Sequence, residues 1–140
     1  MELFGGPVED RGRLRYIDGC TDSLLIPPVK RGNPCLNALF FPPNINQTPH
    51  THPSFRAGLV IAGEGECVLE DKVVPLLPGQ AFLIREDGLH SFRTSPEQSL
   101  TVIAFHPDSD FGPQDEDHPM INRTIVNGIS AAQIEEIRTV

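Results

Sequence analysis

The chain has 140 residues, is 39% hydrophobic and carries a formal net charge of −8. This composition predicts a folded domain rather than a disordered chain, and the acidic charge argues against a nucleic-acid partner, since such binding depends on clustered Lys and Arg. The sequence has neither an apolar run of about 20 residues nor a basic, apolar leader, so we expect a cytoplasmic protein without a membrane span.

Short apolar runs, too short for stable helices, recur along most of the chain. Pro, Gly and Asn separate them, as at Pro42-Pro43, Pro78-Gly79 and Asp87-Gly88. Many short strands at this spacing predict an all-β sandwich or barrel. The runs cover residues 14–17, 24–26, 35–41, 58–62, 66–69, 73–77, 81–84 and 100–106.

The C-terminal part of the chain predicts a loop followed by one short helix. Residues 107–119 are rich in Asp and Pro, and their acidic stretch, 115–117, is interpreted as solvated loop. Ser130 is a candidate N-cap with Gln133 three residues later, and Ile134 and Ile137 form an apolar stripe. Such a short helix must dock on other elements to persist.

The candidate metal ligands are His50, His52 and His90. In an extended strand, residues i and i+2 face the same side, so His50 and His52 can point together into a barrel. His90 follows a turn after the predicted strand 81–84, so a neighbouring strand can deliver it to the same place. Three imidazoles suit Fe, Zn, Cu or Ni, and a catalytic ion keeps a position open for substrate.

The surroundings of these histidines resemble the two motifs of the cupin superfamily. His50, His52 and Gly63 match the first motif, G-x5-H-x-H-x3-E-x6-G, and Gly79 and His90 match the second, G-x5-P-x-G-x2-H-x3-N. The interval between the motifs also has the cupin length, and the resemblance covers about residues 35–106.

The resemblance implies a single cupin domain over residues 1–140, with a double-stranded β-helix, or jelly-roll barrel, and a short C-terminal helix. The barrel core is expected at 35–106, N-terminal strands at 11–34, and the C-terminal loop and helix at 107–140. Small cupins commonly pair, so a homodimer is expected, with residues 11–28 as the candidate packed or exchanged segment.

Several motif positions depart from the cupin pattern. Asn44 stands at the first glycine, and Arg85, Asp87 and Thr94 replace the Pro, Gly and Asn of the second motif. These are turn and packing positions, so the fold is expected to survive the changes.

Arg56 is the departure that affects the site. It occupies the step at which many metal-binding cupins have a Glu ligand, and a guanidinium cannot ligate a metal. The resemblance therefore implies a three-His variant of the cupin site, as in some cupin dioxygenases. Three interpretations of Arg56 remain open: it binds a substrate carboxylate or enolate, pairs with a protein carboxylate, or faces solvent because Pro53 breaks the strand parity.

His106 ends the last predicted strand of the barrel. It is a candidate base beside the metal ligands or a candidate substrate contact inside the barrel mouth, and the competing interpretation is an exposed histidine at a strand end. His118 falls in the acidic loop and is expected to be unrelated to the site. The sequence assigns no catalytic residue.

The leading functional hypothesis is a metalloenzyme with one divalent ion, Fe being favoured over Zn, Ni, Mn or Cu. The expected activity is that of a mononuclear Fe(II) dioxygenase on a small anionic or enolizable metabolite. The alternatives are a non-redox isomerase or lyase acting on a sugar acid, and a non-catalytic cupin that binds a small molecule, because the fold does not determine the chemistry.

Overall fold

The computed structural model describes residues 2–110 and 118–140. Every apolar run predicted from the sequence overlaps a strand of the structure. The strands are β1 (Leu14–Arg15), β2 (Thr21–Ile26), β3 (Cys35–Phe41), β4 (Arg56–Gly63), β5 (Gly65–Leu69), β6 (Val73–Leu76), β7 (Ala81–Ile84), β8 (His90–Arg93), β9 (Leu100–His106), β10 (Ile125–Val126) and β11 (Ile129–Ser130).

The main strands form two antiparallel sheets. The larger has the order β1-β2-β3-β9-β4-β7 and the smaller has the order β6-β5-β8, while β10 and β11 form a separate hairpin. Alternate residues of β9 are buried, namely Leu100, Val102, Ala104 and His106. This period of two turns one face of the strand toward the interior between the sheets. The architecture is the predicted all-β jelly roll.

The predicted C-terminal helix is confirmed as a short helical segment that begins after Ser130. The Ser130 side chain accepts a hydrogen bond from the backbone N–H of Ala132. Two 3-10 helices follow, Ala131–Gln133 and Glu135–Ile137, because Ile134 between them has an extended backbone. The segment docks through Ala131, which is fully buried.

The expected loop before this segment is partly helical. Residues Pro119–Asn122 form a single-turn helix, α1, which His118 caps by accepting a hydrogen bond from the backbone N–H of Ile121. The acidic stretch 115–117 lies outside the described residues. No helix in the described part of the chain is long and apolar enough to cross a membrane.

The backbone explains why the fold tolerates two of the glycine replacements. Gly63 and Gly79 have φ angles of 71° and 86°, and the non-glycine residues Asn44 and Asp87 have φ angles of 64° and 54°. All four positions therefore require the left-handed conformation. Asn and Asp are the residues that adopt it most readily after glycine. The chain thus keeps the backbone of the motif turns with different side chains.

Asp87→Gly is expected to raise the free energy of unfolding by about 0.5–1 kcal/mol, because glycine adopts the left-handed conformation without steric cost. Urea denaturation of the purified variant measures the change. Glu86→Gly is the matched control on the same turn, since Glu86 is not among the residues with positive φ, and it should not stabilise. Equal effects of the two substitutions would contradict this explanation.

Candidate metal centre

Short backbone bridges bring the three candidate histidines together. His50 and His90 exchange backbone hydrogen bonds of 2.9 and 3.0 Å, so their side chains lie beside each other at the start of β8. Thr51 bridges to Ile125 of β10, and the carbonyl of His52 accepts a hydrogen bond from the N–H of Asp87 at 2.8 Å. Partners on several sides therefore hold the His50–His52 segment extended.

The three imidazoles form a compact, buried cluster. The ring centroids are 4.5 Å apart for His50 and His90, 5.0 Å for His50 and His52, and 5.2 Å for His52 and His90. One nitrogen from each ring lies within 4.8 Å of the corresponding nitrogens of the other two. This arrangement can hold one metal ion.

Backbone carbonyls select the nitrogen that each histidine presents. The Nδ1 atoms of His50, His52 and His90 lie 2.7, 2.9 and 2.9 Å from the carbonyl oxygens of Thr48, Arg123 and Gly88. A carbonyl only accepts, so each Nδ1 carries the hydrogen and donates it. Each Nε2 then keeps its lone pair for a metal, which is the orientation that outer hydrogen bonds impose on metal-binding histidines.

Burial also keeps these imidazoles neutral. It lowers the pKa of His50 to about 3 and that of His90 to about 4, and it lowers the pKa of His52 well below its usual range. Neighbouring positive charge, including that of Arg56, acts in the same direction. Neutral imidazole is the form that ligates a metal, so the donor set fits a divalent ion.

Arg56 begins β4 and is buried, with 5% of its surface exposed. Its Nη1 donates to Ser54 Oγ at 2.6 Å and lies 3.0 Å and 3.2 Å from the carbonyl oxygens of Phe55 and Ser54. Its Nε and Nη2 are buried without a hydrogen-bond partner. The solvent-facing interpretation of Arg56 is therefore wrong.

No carboxylate among the described residues forms an ion pair with Arg56. Burial lowers its pKa to about 10, which leaves the guanidinium charged at neutral pH, and the charge of Asp108 opposes this effect. Asp108 reaches Arg56 only indirectly, because its Oδ1 accepts from Ser54 Oγ at 2.6 Å while its Oδ2 accepts from Arg123 Nη2 at 2.6 Å. Of the three interpretations, direct pairing with a carboxylate of residues 2–110 or 118–140 is thus also unsupported.

His106 is buried at the end of β9, with 1% of its surface exposed. It pairs in register with Cys35 of β3, and its Nε2 is buried without a hydrogen-bond partner. Burial lowers the pKa of His106 well below its usual range, and the charge of Arg56 adds to this effect. The structure therefore excludes the interpretation as an exposed strand-end histidine.

A narrow cavity of about 20 Å³ joins the histidine cluster to Arg56 and His106. None of the described residues that line it is an Asp or a Glu. The lining residues are Tyr16, Leu39, Phe41, Gln47, His50, His52, Arg56, Phe82, Ile84, His90, Phe92, Ala104, His106 and Met120.

Several contributors to the site were not found from the sequence. Ser54 and Asp108 orient Arg56, and Tyr16, whose hydroxyl lies 2.6 Å from Thr124 Oγ1, packs edge-on against His50. The two-residue spacing between Ser54 and Arg56 could have indicated from the sequence that the two side chains lie near each other. Tyr16 and Asp108 could not be found in this way, because they belong to segments that are distant in the sequence. His118 is buried and lies outside the cavity lining, but its ring contacts that of Tyr16, which lines the cavity.

The sequence matches a known family over more than half of its length. The family described as AraC-like ligand binding domain matches residues 42–119, a range that contains the three histidines and both residues proposed to contact substrate. No curated protein matches the chain.

Solved cupin structures share the fold. The polyketide cyclase RemF from Streptomyces resistomycificus is 22% identical with a TM-score of 0.64, covering 82% of this chain and 88% of that one. A cupin-like protein from Thermotoga maritima is 19% identical with a TM-score of 0.63, covering 77% and 86%. The DMSP lyase DddQ from Ruegeria pomeroyi is 20% identical with a TM-score of 0.56, covering 63% of this chain and 46% of that one. At these identities the likeness establishes the fold alone.

Arg56→Met should leave the free energy of unfolding of the metal-free protein within about 1 kcal/mol of wild type, because the change strands no carboxylate in the described part of the chain and removes a charge that is costly to bury. Chemical denaturation in the presence of a chelator measures this. Arg123→Met is the control, since Arg123 contacts Asp108 and Asp110 directly and its loss should cost more. A fall of about 3–5 kcal/mol for Arg56→Met would instead reveal a buried partner charge.

Proposed function

We propose, from the premise that this chain belongs to the family of AraC-like ligand binding domains and has the cupin fold, that it is a metal-dependent enzyme acting on a small molecule inside the barrel. His50, His52 and His90 hold one divalent ion, and Arg56 and His106 contact the substrate. The observation that carries the proposal is the set of three Nδ1–carbonyl hydrogen bonds, which leaves the three Nε2 atoms free to bind one ion at the same cavity.

The chemistry we favour is non-redox proton transfer, as in an isomerase, lyase or cyclase. A bound divalent ion supplies a Lewis acid beside the substrate. We assign the base to His106 because it lines the same cavity and its buried Nε2 has no hydrogen-bond partner in the described part of the protein. A group in this state can take a proton from a substrate in the same cavity. The names of the structural neighbours, a polyketide cyclase and DMSP lyases, are compatible with this class.

An activity test distinguishes the favoured chemistry from the Fe(II) dioxygenase hypothesis. Iron-loaded protein should be supplied with a panel of small carboxylates and diketones while oxygen and substrate are both followed. Substrate conversion without oxygen uptake, abolished in His106→Gln, supports the favoured class. Oxygen uptake coupled to substrate loss would replace it with the dioxygenase, and binding without conversion would leave a ligand-binding cupin.

Metal content is the direct test of the site. Wild-type protein purified without chelators should contain about one divalent ion per chain by elemental analysis, and His50→Ala, His52→Ala and His90→Ala should each lose most of it, because three ligands cannot be reduced to two without a large loss of affinity. His106→Gln is the matched control, since His106 lines the cavity outside the cluster, and it should retain the ion. Stoichiometric metal in a variant lacking all three histidines would refute the site.

The homodimer expected from the sequence is retained as part of the proposal. On the outer face of the larger sheet, Leu83 and Phe105 are exposed and lie on either side of Ala57 in register, next to exposed Leu59. A contiguous exposed apolar face is typical of a protein interface. Sedimentation at micromolar concentration should therefore give a dimer, and Leu83→Asp should shift it toward monomer. A wild-type protein that sediments only as a monomer would remove this part of the proposal.

A further inference from the structure

We infer that the molecule bound in this cavity is a small carboxylate with an apolar body, and that Arg56 binds the carboxylate side-on through Nε and Nη2. The inference rests on the proposed function in one respect, namely that the cavity is the substrate site. It deepens that function by assigning the chemical class of the ligand.

Charge balance is the first argument. The cavity lining contains the Arg56 cation and, among the described residues, no carboxylate. A divalent ion held by three neutral imidazoles would raise the formal charge inside the barrel to +3. Charge buried in a low-dielectric interior is costly unless it is paired, so the ligand must carry the negative charge that the walls lack.

Within residues 2–110 and 118–140, no neighbouring carboxylate contacts Arg56 directly. Asp108 is the acidic residue that influences Arg56 most, yet Ser54 stands between them, donating to Asp108 and accepting from Arg56 Nη1. The other oxygen of Asp108 is engaged by Arg123, and Asp110 also lies 3.5 Å from that guanidinium. Arg123 therefore contacts both Asp108 and Asp110, and neither carboxylate forms a direct hydrogen bond with Arg56.

The orientation of the guanidinium is the second argument. Three hydrogen bonds hold Nη1 against Ser54 and Phe55, which fixes the plane of the group. The opposite edge, Nε and Nη2, has no partner although it is buried. Two parallel N–H groups on one edge match the two oxygens of a carboxylate, which is the bidentate geometry that makes Arg preferable to Lys at such sites.

The other side chains that line the cavity indicate the chemical character of the rest of the ligand. Most of the side chains that line the cavity away from the histidines are apolar, namely Leu39, Phe41, Phe82, Ile84, Phe92 and Met120. The free volume of about 20 Å³ is far below that of a drug-sized ligand pocket, so the ligand must be small and side chains must move to admit it. The ligand is thus a small acid whose apolar part packs against aromatic and aliphatic side chains rather than a polyhydroxylated sugar acid.

Arg56 can be tested with matched pairs of probes that differ in charge and little in shape. Propanoate and propanamide, benzoate and benzamide, and cinnamate and cinnamamide are titrated calorimetrically into zinc-loaded protein. The wild type should prefer the carboxylate in at least one pair by about ten- to a hundredfold. Arg56→Gln should abolish the preference, and Arg56→Lys should recover part of it and keep the test readable if the Gln variant does not fold. Arg85→Gln, which removes an exposed arginine at the end of β7, should preserve it.

The outcomes separate this inference from the proposed function. Zinc content is measured in every sample, so loss of zinc from the three histidine variants tests the metal site independently of the probes. A wild type with no carboxylate preference in any pair overturns the inference. A preference that survives in Arg56→Gln and disappears when zinc is removed also overturns it, because the carboxylate then binds the ion without the guanidinium, while the metal site stands.

Discussion

The hydrogen bonds from three imidazole Nδ1 atoms to backbone carbonyls are the interaction on which the rest of this site depends. In each buried histidine the hydrogen bond occupies Nδ1 and leaves Nε2 as the nitrogen available to a metal. The acceptors are Thr48, Gly88 and Arg123, which belong to three different connections between strands. The cluster can therefore form only when the barrel has closed and those connections have taken their final conformations, so the geometry of the site is a property of the fold.

Arg56 changes the electrostatics of the cupin site more than its coordination. A Glu at this position would ligate the ion and reduce its charge, whereas the guanidinium adds a positive charge beside it and leaves two N–H groups without partners. This arrangement is unfavourable for the empty protein and favourable for an anionic ligand. Under the proposed function, stability is exchanged for affinity, as is common where buried polar groups are left to be satisfied by a substrate.

A chain of hydrogen bonds connects the arginine to the histidine cluster. Arg56 contacts Ser54, Ser54 contacts Asp108, Asp108 contacts Arg123, and the carbonyl of Arg123 accepts from His52. The same segment that orients the guanidinium thus orients one candidate metal ligand. Arg123 follows helix α1, whose N-cap is His118, so the C-terminal part of the chain takes part in building a site whose histidines all come from the barrel.

The sequence by itself determined most of the strands, the jelly-roll class and the grouping of His50, His52 and His90, because these depend on period-two alternation, turn residues and motif spacing, which are local properties. Strands β8, β10 and β11 lay outside the predicted apolar runs. The sequence also marked Asn44 and Asp87 as turn and packing positions, and the structure shows that both are left-handed. Only the tertiary structure decided the surroundings of Arg56 and His106, since burial and partners depend on which distant strands pair. Helix α1 and the break at Ile134 were likewise decided by packing, because a single turn has too few hydrogen bonds to be specified by its own sequence.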